Sequence, residues 1–335
     1  MHVPLLRLLG RIAPATTEIR HLARLSGGAN QQTWAFDAVG PHGTLALILR
    51  RGVAARDPAP GAAAATAGAP SNVSLDHEAE LLTRAARHGV PTPPVRAVLT
   101  DADQLGSGFV MDRIDGETIP RRLLRDPQFA QARAGLASQC GAVLARIHDV
   151  PWRDLGWLRR SSAEAELAHY AHVHHAGGTP RPVFEWAMRW LREHLPAPVE
   201  PRLVHGDFRN GNLIVGVDGL RAVLDWELAH VGDPMEDLGW ICVNSWRFGQ
   251  TDHPVGGFGT REDLFAAYEA ESGRAVDTSR VFFWEVLGTL KWGVMCGQMY
   301  RAFATGSDRS VERAVIGRRA SETEIDLLRL LAPEP

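Results

Sequence analysis

A short apolar segment past the middle of the chain carries two carboxylates and an amide. Asp207, Asn212 and Asp225 stand in VHGDFRNGNLIVGVDGLRAVLDWE, residues 204–227, where most neighbours are typical of a protein core. Buried carboxylates are unfavourable unless a positive charge lies between them. Mg²⁺ suits such a set, because it binds oxygen ligands and keeps phosphate oxygens as further ligands. The pattern predicts that Asn212 and Asp225 hold metal, which leaves Asp207 to accept a proton from a hydroxyl.

A predicted hairpin brings these side chains together. Segments 213–215 and 222–224 are apolar, and the Asp-Gly pair at 218–219 is a strong hairpin signal, because Gly supplies the positive φ that the turn needs. Asn212 enters the first strand and Asp225 leaves the second, so they should face each other across the ladder. An isolated Asp or Asn near a turn is usually a turn or capping residue, but three that bracket a hairpin favour a site.

Two stretches of the chain resemble a known pattern. HGDFRNGN (205–212) and LDWE (224–227) are similar to the catalytic loop and metal-binding segment of the aminoglycoside phosphotransferase and choline kinase superfamily, small-molecule relatives of protein kinases. The kinase pattern H-R-D-x-x-x-x-N has the same Asp-to-Asn spacing, with Gly206 here in the Arg position. The longer VLDWELAHVGDPMEDLGW (223–240) is similar to a bacterial phosphotransferase subgroup and to the kinase-like domain fused to some acyl-CoA dehydrogenases.

The resemblance runs from about residue 20 to the C-terminus and implies an α+β, two-lobed, protein-kinase-like fold. The N-terminal lobe would be residues 1–115, with a five-stranded antiparallel sheet and a helix. The C-terminal lobe, residues 116–335, would be mainly helical and carry the catalytic hairpin. A low-complexity Ala-Pro-Gly stretch, 52–70, is expected to be a surface loop.

Periodicity in the residues predicts the individual elements. The first three strands should form an antiparallel meander, and Ser74 or Asp76 should cap the first helix. The predicted strands are 19–25, 33–39, 44–50, 94–99 and 108–112, and the predicted helices are 74–89, 129–150, 183–195, 235–246, 261–273, 279–303 and 320–331.

The stretch LSGGANQQTWAF (25–36) joins two predicted strands through a glycine pair. Glycine allows backbone N–H groups to approach phosphates closely. A Gly-Gly turn alone is usually only a hairpin. With the kinase-like loop downstream, we expect Ser26, Gly27, Gly28 and Asn30 to cover the phosphates of a nucleotide.

The resemblance also implies a cation on the third strand and a helix carboxylate that orients it. Arg50 ends that strand, where the usual residue is Lys, and its planar guanidinium can clamp phosphate. Glu78 on the following helix would be its partner. Arg51 and Glu80 are the alternatives.

The segment FVMDR (109–113) matches the position of the interlobe hinge, and the boundary itself falls near Gly116. Backbone groups of Met111 and Arg113 would pair with the edge of adenine. A plain interlobe linker would have much the same sequence.

The implied reaction is transfer of the γ-phosphoryl group of ATP to a hydroxyl. Asp207 would orient that hydroxyl and take its proton, while the metal residues hold Mg²⁺ and neutralise charge. Arg209, two residues further on, would reach the moving phosphoryl group. His205 is expected to brace the loop, and Asp237 to hydrogen-bond its backbone.

The acceptor is the least defined part of the site. Nine of the ten tryptophans follow residue 150, although most aromatic residues on helical faces belong to the core. Glu227, His230 and Trp246 are predicted to line the acceptor pocket, which favours a hydroxylated small molecule with an apolar or aromatic part. Further candidates for this pocket are Arg247, Phe248, Trp284 and Glu285.

Composition excludes several classes of protein. The 335 residues suffice for two lobes, and a net charge of −3 implies no nucleic-acid partner. Three widely spaced cysteines and the lack of a membrane-length apolar run predict a soluble cytoplasmic protein without a membrane partner. Lys291 is the only lysine, so 35 of the 36 basic residues are Arg, a composition typical of a GC-rich genome. Composition does not define the oligomeric state.

Three alternatives remain for the function. An aminoglycoside-type antibiotic kinase would confer resistance on a sensitive host. A protein kinase is disfavoured, because no peptide-positioning activation segment separates LDWE from GDPMED. A nucleotide-binding protein without catalysis would bind ATP·Mg²⁺ and never turn over, and the intact set of Asp207, Asn212 and Asp225 argues against it.

Overall fold

Five strands from the N-terminal third of the chain form one antiparallel sheet, in the order β1-β2-β3-β5-β4. The computed structural model describes residues 1–25, 31–52, 73–308 and 310–332. The predicted meander is confirmed, because β2 pairs with both β1 and β3. The strands are β1 Glu18–Leu25, β2 Gln31–Gly40, β3 Gly43–Gly52, β4 Val95–Val98 and β5 Gly108–Asp112.

One face of the sheet is covered by an N-terminal helix that the sequence reading did not predict. Helix α1, His2–Ile12, buries Leu5, Leu8 and Leu9. These side chains share a hydrophobic cluster with sheet residues that alternate along the strands, as the pleat requires. The sheet residues of this cluster are Ile19, Phe36, Ala38, Leu47, Leu49 and Val110.

The opposite face of the sheet packs toward the rest of the molecule. Ile48, Phe109 and Met111 belong to the large hydrophobic cluster that continues into the C-terminal helices. Helix α2, Leu75–Arg87, contributes to the same cluster, and the Ser74 hydroxyl caps it by accepting from the backbone N–H of His77 at 3.3 Å. Ser74, and not Asp76, is therefore the cap.

The C-terminal part of the described chain is mainly helical, as predicted. The helices over 120–125, 163–176 and 311–317 were not predicted, and the helix expected over 235–246 ends at Cys242. Among the described helices, none combines the length and apolarity needed to span a bilayer. The helices are α3 Pro120–Arg125, α4 Ala130–Asp149, α5 Ala163–Ala176, α6 Pro182–Glu193, α7 Met235–Cys242, α8 Arg261–Ser272, α9 Thr278–Ala304, α10 Val311–Gly317 and α11 Ala320–Leu331.

Two short ladders interrupt these helices. Strands β6 Arg202–Val204 and β9 His230–Gly232 pair with each other. The predicted hairpin is confirmed as β7 Leu213–Gly216 and β8 Gly219–Val223, which are antiparallel. Its turn is 217–218, and Gly219 follows it at φ 128°.

The connection between the sheet and the helices is tied to this hairpin. Glu117 forms a bridge to Val215, with its N–H 2.9 Å from the Val215 carbonyl. Gly116 lies at φ 156°, and a Cβ there would come within 2.5 Å of Ile214. Glycine is therefore required where the chain crosses the hairpin. The division into lobes 1–115 and 116–335 stays a prediction, as does the loop 52–70, of which residues 53–70 lie outside the described ranges.

We expect α1 to contribute strongly to stability. Leu8→Ala should lower the free energy of unfolding by about 2–5 kcal/mol, because it removes a fully buried side chain and leaves a cavity. Leu6→Ala is the matched control, since Leu6 on the same helix is 43% exposed, and it should change stability by less than about 1 kcal/mol. Urea unfolding followed by circular dichroism compares the two. Equal losses would show that α1 does not pack as described.

Candidate active site

Asp207 lies at the mouth of the hairpin with its carboxylate fixed from three directions. Oδ1 accepts hydrogen bonds from Arg209 Nε at 2.9 Å and from the Trp240 indole at 2.8 Å. Oδ2 accepts from the Asn212 amide at 2.6 Å. The side chain stays 14% exposed. A carboxylate held in one orientation, with access from outside, is suited to receive a proton from a bound hydroxyl.

The backbone before Asp207 is held by a second, buried carboxylate. Asp237 accepts from the backbone N–H of His205 at 2.8 Å and from that of Gly206 at 2.9 Å. The predicted role of Asp237 is thereby confirmed. Burial alone would raise the pKa of Asp237, but the hydrogen bond from His148 and these N–H groups lower it. Asp237 therefore stays ionised where the loop needs an acceptor.

His205 braces the same loop, as predicted. Its Nδ1 accepts from the Asp207 N–H at 3.2 Å, so its Nε2 carries the proton and donates to the Leu224 carbonyl at 3.1 Å. Burial lowers the pKa of His205, against the opposing effect of Asp237. A neutral imidazole with both nitrogens engaged is a structural part and not a base.

The two predicted metal residues, Asn212 and Asp225, lie close together where the two strands of the hairpin meet. The Asn212 carbonyl accepts from the Leu224 N–H at 2.8 Å, which brings Asp225 next to it across the ladder end. The Asn212 Nδ2 is committed to Asp207, so its Oδ1 is the atom left to accept or coordinate. Asp225 has φ 66° and ψ 67°, a left-handed conformation that costs energy for a non-glycine residue. Strained backbone of this kind occurs most often at functional sites.

Arg50 joins the sheet to this mouth. Its guanidinium lies 2.8 Å from Glu78 Oε1 and 3.3 Å from Asp225 Oδ1, and it donates to Gln31 Oε1 at 2.7 Å. Burial raises the pKa of Glu78 to about 7, although the charge of Arg50 opposes this. The structure thus pairs Arg50 with Glu78 as predicted; Arg51 has no ion-pair partner in the described ranges, and Glu80 pairs with Arg84 instead.

Glu227, predicted to contact the acceptor, lies in the part of the site nearest the five-stranded sheet. Its carboxylate accepts from Gln31 Nε2 at 3.4 Å. Burial and the neighbouring Asp225 raise the pKa of Glu227 to about 7. The structure therefore groups Glu227 with Arg50 and Gln31 rather than with Trp246.

Arg209 and Trp246 form the other side of the mouth. The Arg209 guanidinium stacks 4.5 Å from the centre of the Trp246 ring while its Nε holds Asp207. Trp246 itself is 2% exposed, and its indole N–H is buried without a partner among the described residues. The structure thus pairs Arg209 with Asp207, a contact that the sequence did not predict. Contact of Arg209 with the moving phosphoryl group stays a prediction.

Four candidates for the acceptor pocket are engaged in buried contacts. His230 is 1% exposed, and both of its ring nitrogens face acceptors, the Leu228 carbonyl at 3.0 Å and Glu236 at 3.1 Å. The structure therefore moves His230 from the acceptor surface into the core. The other three candidates are Trp284, which donates to Asp233, and Arg247 and Glu285, which form an ion pair with each other.

The nucleotide side is only partly described. Ser26, Gly27, Gly28 and Asn30 lie outside the described residues. At the predicted hinge, the backbone N–H of Arg113 already donates to the Ala46 carbonyl at 2.9 Å, and its guanidinium pairs with Asp37 at 2.8 Å. That N–H is therefore not available to a base.

Three residues that hold the site were not predicted from the sequence. Trp240 donates to Asp207, Gln31 contacts Arg50, and Lys291 lies 3.4 Å from the Gly206 carbonyl. Trp240 follows Asp237 by three residues on one helix, so the i, i+3 spacing placed them on the same face. Lys291 was marked only by being the sole lysine of the chain.

The sequence profile of the phosphotransferase enzyme family matches residues 21–273, and the chain belongs to this family. Acyl-CoA dehydrogenase family member 10 of Mus musculus is 30% identical over 185 residues, which is 52% of this chain and 17% of that protein. Family member 11 of Gallus gallus is 29% identical over 187 residues, 51% of this chain and 23% of that protein. The match thus covers less than a quarter of these relatives.

Solved structures share the fold over nearly the whole chain. A candidate aminoglycoside phosphotransferase of Ralstonia eutropha superposes with a TM-score of 0.75 at 20% identity, over 98% of both chains. A choline/ethanolamine kinase family protein of Mesorhizobium loti gives 0.64 at 20%, over 99% of this chain and 95% of that chain. A macrolide 2′-phosphotransferase of Brachybacterium faecium gives 0.60 at 19%, over 99% of each. The resemblance and the α+β kinase-like fold are confirmed, which places the chain among the small-molecule phosphotransferases.

The raised pKa of Glu78 predicts a pH-dependent stability. Its folded-state pKa is about 7 and its ordinary value 4.5, so in this window the folded protein binds the proton more tightly than the unfolded chain. Stability from this group is therefore present below the ordinary pKa and lost as pH rises through the folded one. Glu78→Gln should gain stability relative to wild type from about pH 5 to about pH 7.5, by up to about 1.4 kcal/mol per pH unit.

Urea unfolding in metal-free buffer at several pH values measures this difference. Glu80→Gln is the control, because Glu80 lies on the same helix with its side chain 42% exposed. A Glu78→Gln curve parallel to that of wild type would contradict the raised pKa.

Proposed function

We propose that the protein transfers the γ-phosphoryl group of ATP to a hydroxyl of a small molecule. The observation that carries this proposal is the fixed carboxylate of Asp207, which three side chains orient while its face stays accessible. Turn and capping residues have no need of such a set. Membership of the phosphotransferase family supports the same reaction.

The oxygen groups at the mouth fit a hard divalent cation. Asn212 Oδ1 and the Asp225 carboxylate are the proposed ligands, and both atoms are of the kind that Mg²⁺ prefers. Within the described ranges, no three His, Cys, Asp or Glu side chains gather as a complete ion site. Phosphate and water oxygens are therefore proposed as the further ligands. Bound Mg²⁺ would supply charge neutralisation at the phosphates.

ATP is the proposed donor, with Arg50 as its phosphate clamp. The Arg50 fork is held by Glu78 and Gln31, which leaves a planar cation near the metal residues. The phosphates are proposed to be covered by Ser26, Gly27, Gly28 and Asn30. The edge of adenine is proposed to lie beside Met111 and the Arg113 carbonyl. A neighbour with the same fold, an aminoglycoside phosphotransferase, forms a ternary complex with AMP-PNP and hygromycin B.

In the proposed step the acceptor oxygen forms a bond to the γ-phosphorus as the bond to the ADP oxygen breaks. Asp207 accepts the hydroxyl proton and later returns it to solvent. Arg209 donates to Asp207 and stacks on the Trp246 ring. It is therefore proposed to stabilise the charge on the transferring group. Positioning and electrostatics supply most of the rate in such a reaction.

For the acceptor we propose a molecule with an apolar part. A cavity of about 250 Å³ has the apolar Phe248 and Ile325 in its wall, together with the polar or charged Asn244, Ser245, Arg319, Glu322, Asp326 and Arg329. The Ser245 hydroxyl is buried and has no partner among the described residues. Trp246 is proposed to border the acceptor through Arg209, which stacks on it, while Glu227 lies with Gln31 and Arg50 on the proposed nucleotide side. Hydroxyacyl thioesters are proposed for the acceptor screen, because the relatives are named acyl-CoA dehydrogenase family members. An aminoglycoside is the second candidate, supported by the likeness of fold.

Asp207→Asn tests the proposal. Asn keeps the size of the side chain but cannot take a proton, so kcat should fall by about 10²- to 10⁴-fold while Mg·ATP affinity stays near that of wild type. Asp218→Asn is the matched control, because Asp218 is 68% exposed on the hairpin turn. ADP release with hydroxylated metabolites, followed by single-turnover transfer at saturating ATP, gives kcat. A mutant within about threefold of wild type would remove Asp207 from the mechanism.

Arg50→Ala tests the nucleotide clamp. Loss of charge-assisted hydrogen bonds should weaken Mg·ATP binding by roughly ten- to a hundredfold, and Arg50→Lys should retain part of it. Arg51→Ala is the control, because neighbouring residues of a strand point to opposite faces. Calorimetric titration with Mg·ATP measures all three variants. Damage from Arg51→Ala together with a silent Arg50→Ala would reverse the assignment.

A further inference from the structure

The only lysine of the chain is buried directly behind Asp207. Lys291 lies on α9, is 6% exposed, and has its ammonium 3.4 Å from the Gly206 carbonyl. The same ammonium lies 4.7 Å from the centre of the Trp240 ring and 3.6 Å from Glu236 Oε1. Gly206 and Trp240 are the two neighbours through which the surrounding helices hold Asp207.

Lys291 completes the restraint on the peptide unit that precedes Asp207. The Gly206 N–H is held by Asp237 and the Asp207 N–H by His205, so the Gly206 carbonyl is the remaining polar group of this turn. Gly206 has φ 79°, and a Cβ there would lie 2.5 Å from the Leu228 carbonyl. The turn is therefore closely packed and requires glycine, and the ammonium lies within reach of the Gly206 carbonyl.

Trp240 connects the same ammonium to the carboxylate. Its indole N–H donates to Asp207 Oδ1 at 2.8 Å, and its ring lies against Lys291. A cation next to an aromatic ring in a buried place is attracted to the ring by more than at a surface. Movement of the ammonium would therefore loosen the Gly206 carbonyl, which precedes Asp207, and the Trp240 indole, which donates to its carboxylate.

The residue type is itself informative. Arg supplies 35 of the 36 basic residues, yet this position has Lys. The cavity beside it is about 10 Å³ and is bounded by Tyr170, Trp240 and Leu287 among others. That is close to the least that holds one water molecule, so the two extra heavy atoms of Arg have no space. A compact ammonium is required here.

We propose that Lys291 is a positioning residue, which orients Asp207 for phosphoryl transfer through the Gly206 carbonyl and the Trp240 ring. The kinetic part of this inference rests on the proposed function. The competing explanation is charge balance, since Lys291 also faces the buried carboxylates of Glu236 and Glu166.

Lys291→Met is the first variant, because Met keeps the length of the stem without the charge. We expect kcat for ADP release from Mg·ATP to fall roughly ten- to a hundredfold, with Mg·ATP affinity within about twofold of wild type. The acceptor is the one found in the screen, or water where none is found. Rates are normalised to the protein that binds Mg·ATP, so that loss of folded protein does not count.

The double variant Lys291→Met/Glu236→Gln separates positioning from charge balance. It removes one positive and one negative charge together, so charge balance alone predicts that its kcat returns toward that of wild type. Positioning predicts that kcat stays as low as in Lys291→Met, while Glu236→Gln alone stays within about threefold of wild type. Recovery in the double variant would overturn the inference.

A readout without turnover makes the two proposals separable. The indole ¹⁵N–¹H signal of Trp240, assigned by its loss in Trp240→Phe, should shift in Lys291→Met and in the double variant, and not in Glu236→Gln. An unchanged signal in Lys291→Met would overturn the positioning role. A shifted signal in a protein whose wild type releases no ADP would leave the contact in place and refute the proposed function instead.

Discussion

The candidate active site depends on the buried carboxylate of Asp237. The turn before Asp207 runs through the interior, where each backbone N–H needs a partner. Asp237 serves two of them, and it can stay ionised there because His148 donates to it at 3.2 Å and is itself fixed by Tyr268 at 2.9 Å. The position of Asp207 is thus determined by contacts among α4, α7 and α8, deep in the helical part of the chain. An exposed loop alone would not hold the proposed proton acceptor so closely.

Arginine and lysine have distinct roles in this chain. Near the end of β3, where the resemblance implies Lys, Arg50 faces Glu78 with Nη1 and both Gln31 and Asp225 with Nη2 of one planar fork. A single ammonium makes such divergent contacts poorly, because it is a point charge on a flexible stem. Behind the hairpin the requirement is reversed, and the compact ammonium of Lys291 fits where a fork does not. Geometry, and not charge alone, explains both choices.

Sequence patterns over a few residues predicted single elements, such as the hairpin, but not the contacts between distant elements. The Asp-Gly pair and the apolar segments on either side of it predicted the hairpin, although the turn lies one residue earlier, at 217–218. The helix that carries Glu78 was predicted from its cap and its periodicity. Helix α1 was overlooked although Leu5, Leu8 and Leu9 have the i, i+3, i+4 spacing. His230 was predicted to line the acceptor pocket, whereas it is buried and pairs with Glu236 in a tertiary contact. The same holds for Lys291, which reaches Gly206 across 85 residues of sequence.

The tryptophans bear on how an acceptor is selected. Trp240, Trp246 and Trp292 pack in series, with ring centres 5.1 and 4.9 Å apart. Lys291 and Arg209 lie against the first two rings, so these aromatic faces already stabilise cations that hold or flank Asp207. An acceptor therefore has little free aromatic face here on which to stack. We therefore propose that an apolar part is selected by fit against Phe248 and Ile325, in a cavity whose other side chains are mostly polar or charged, more than by stacking.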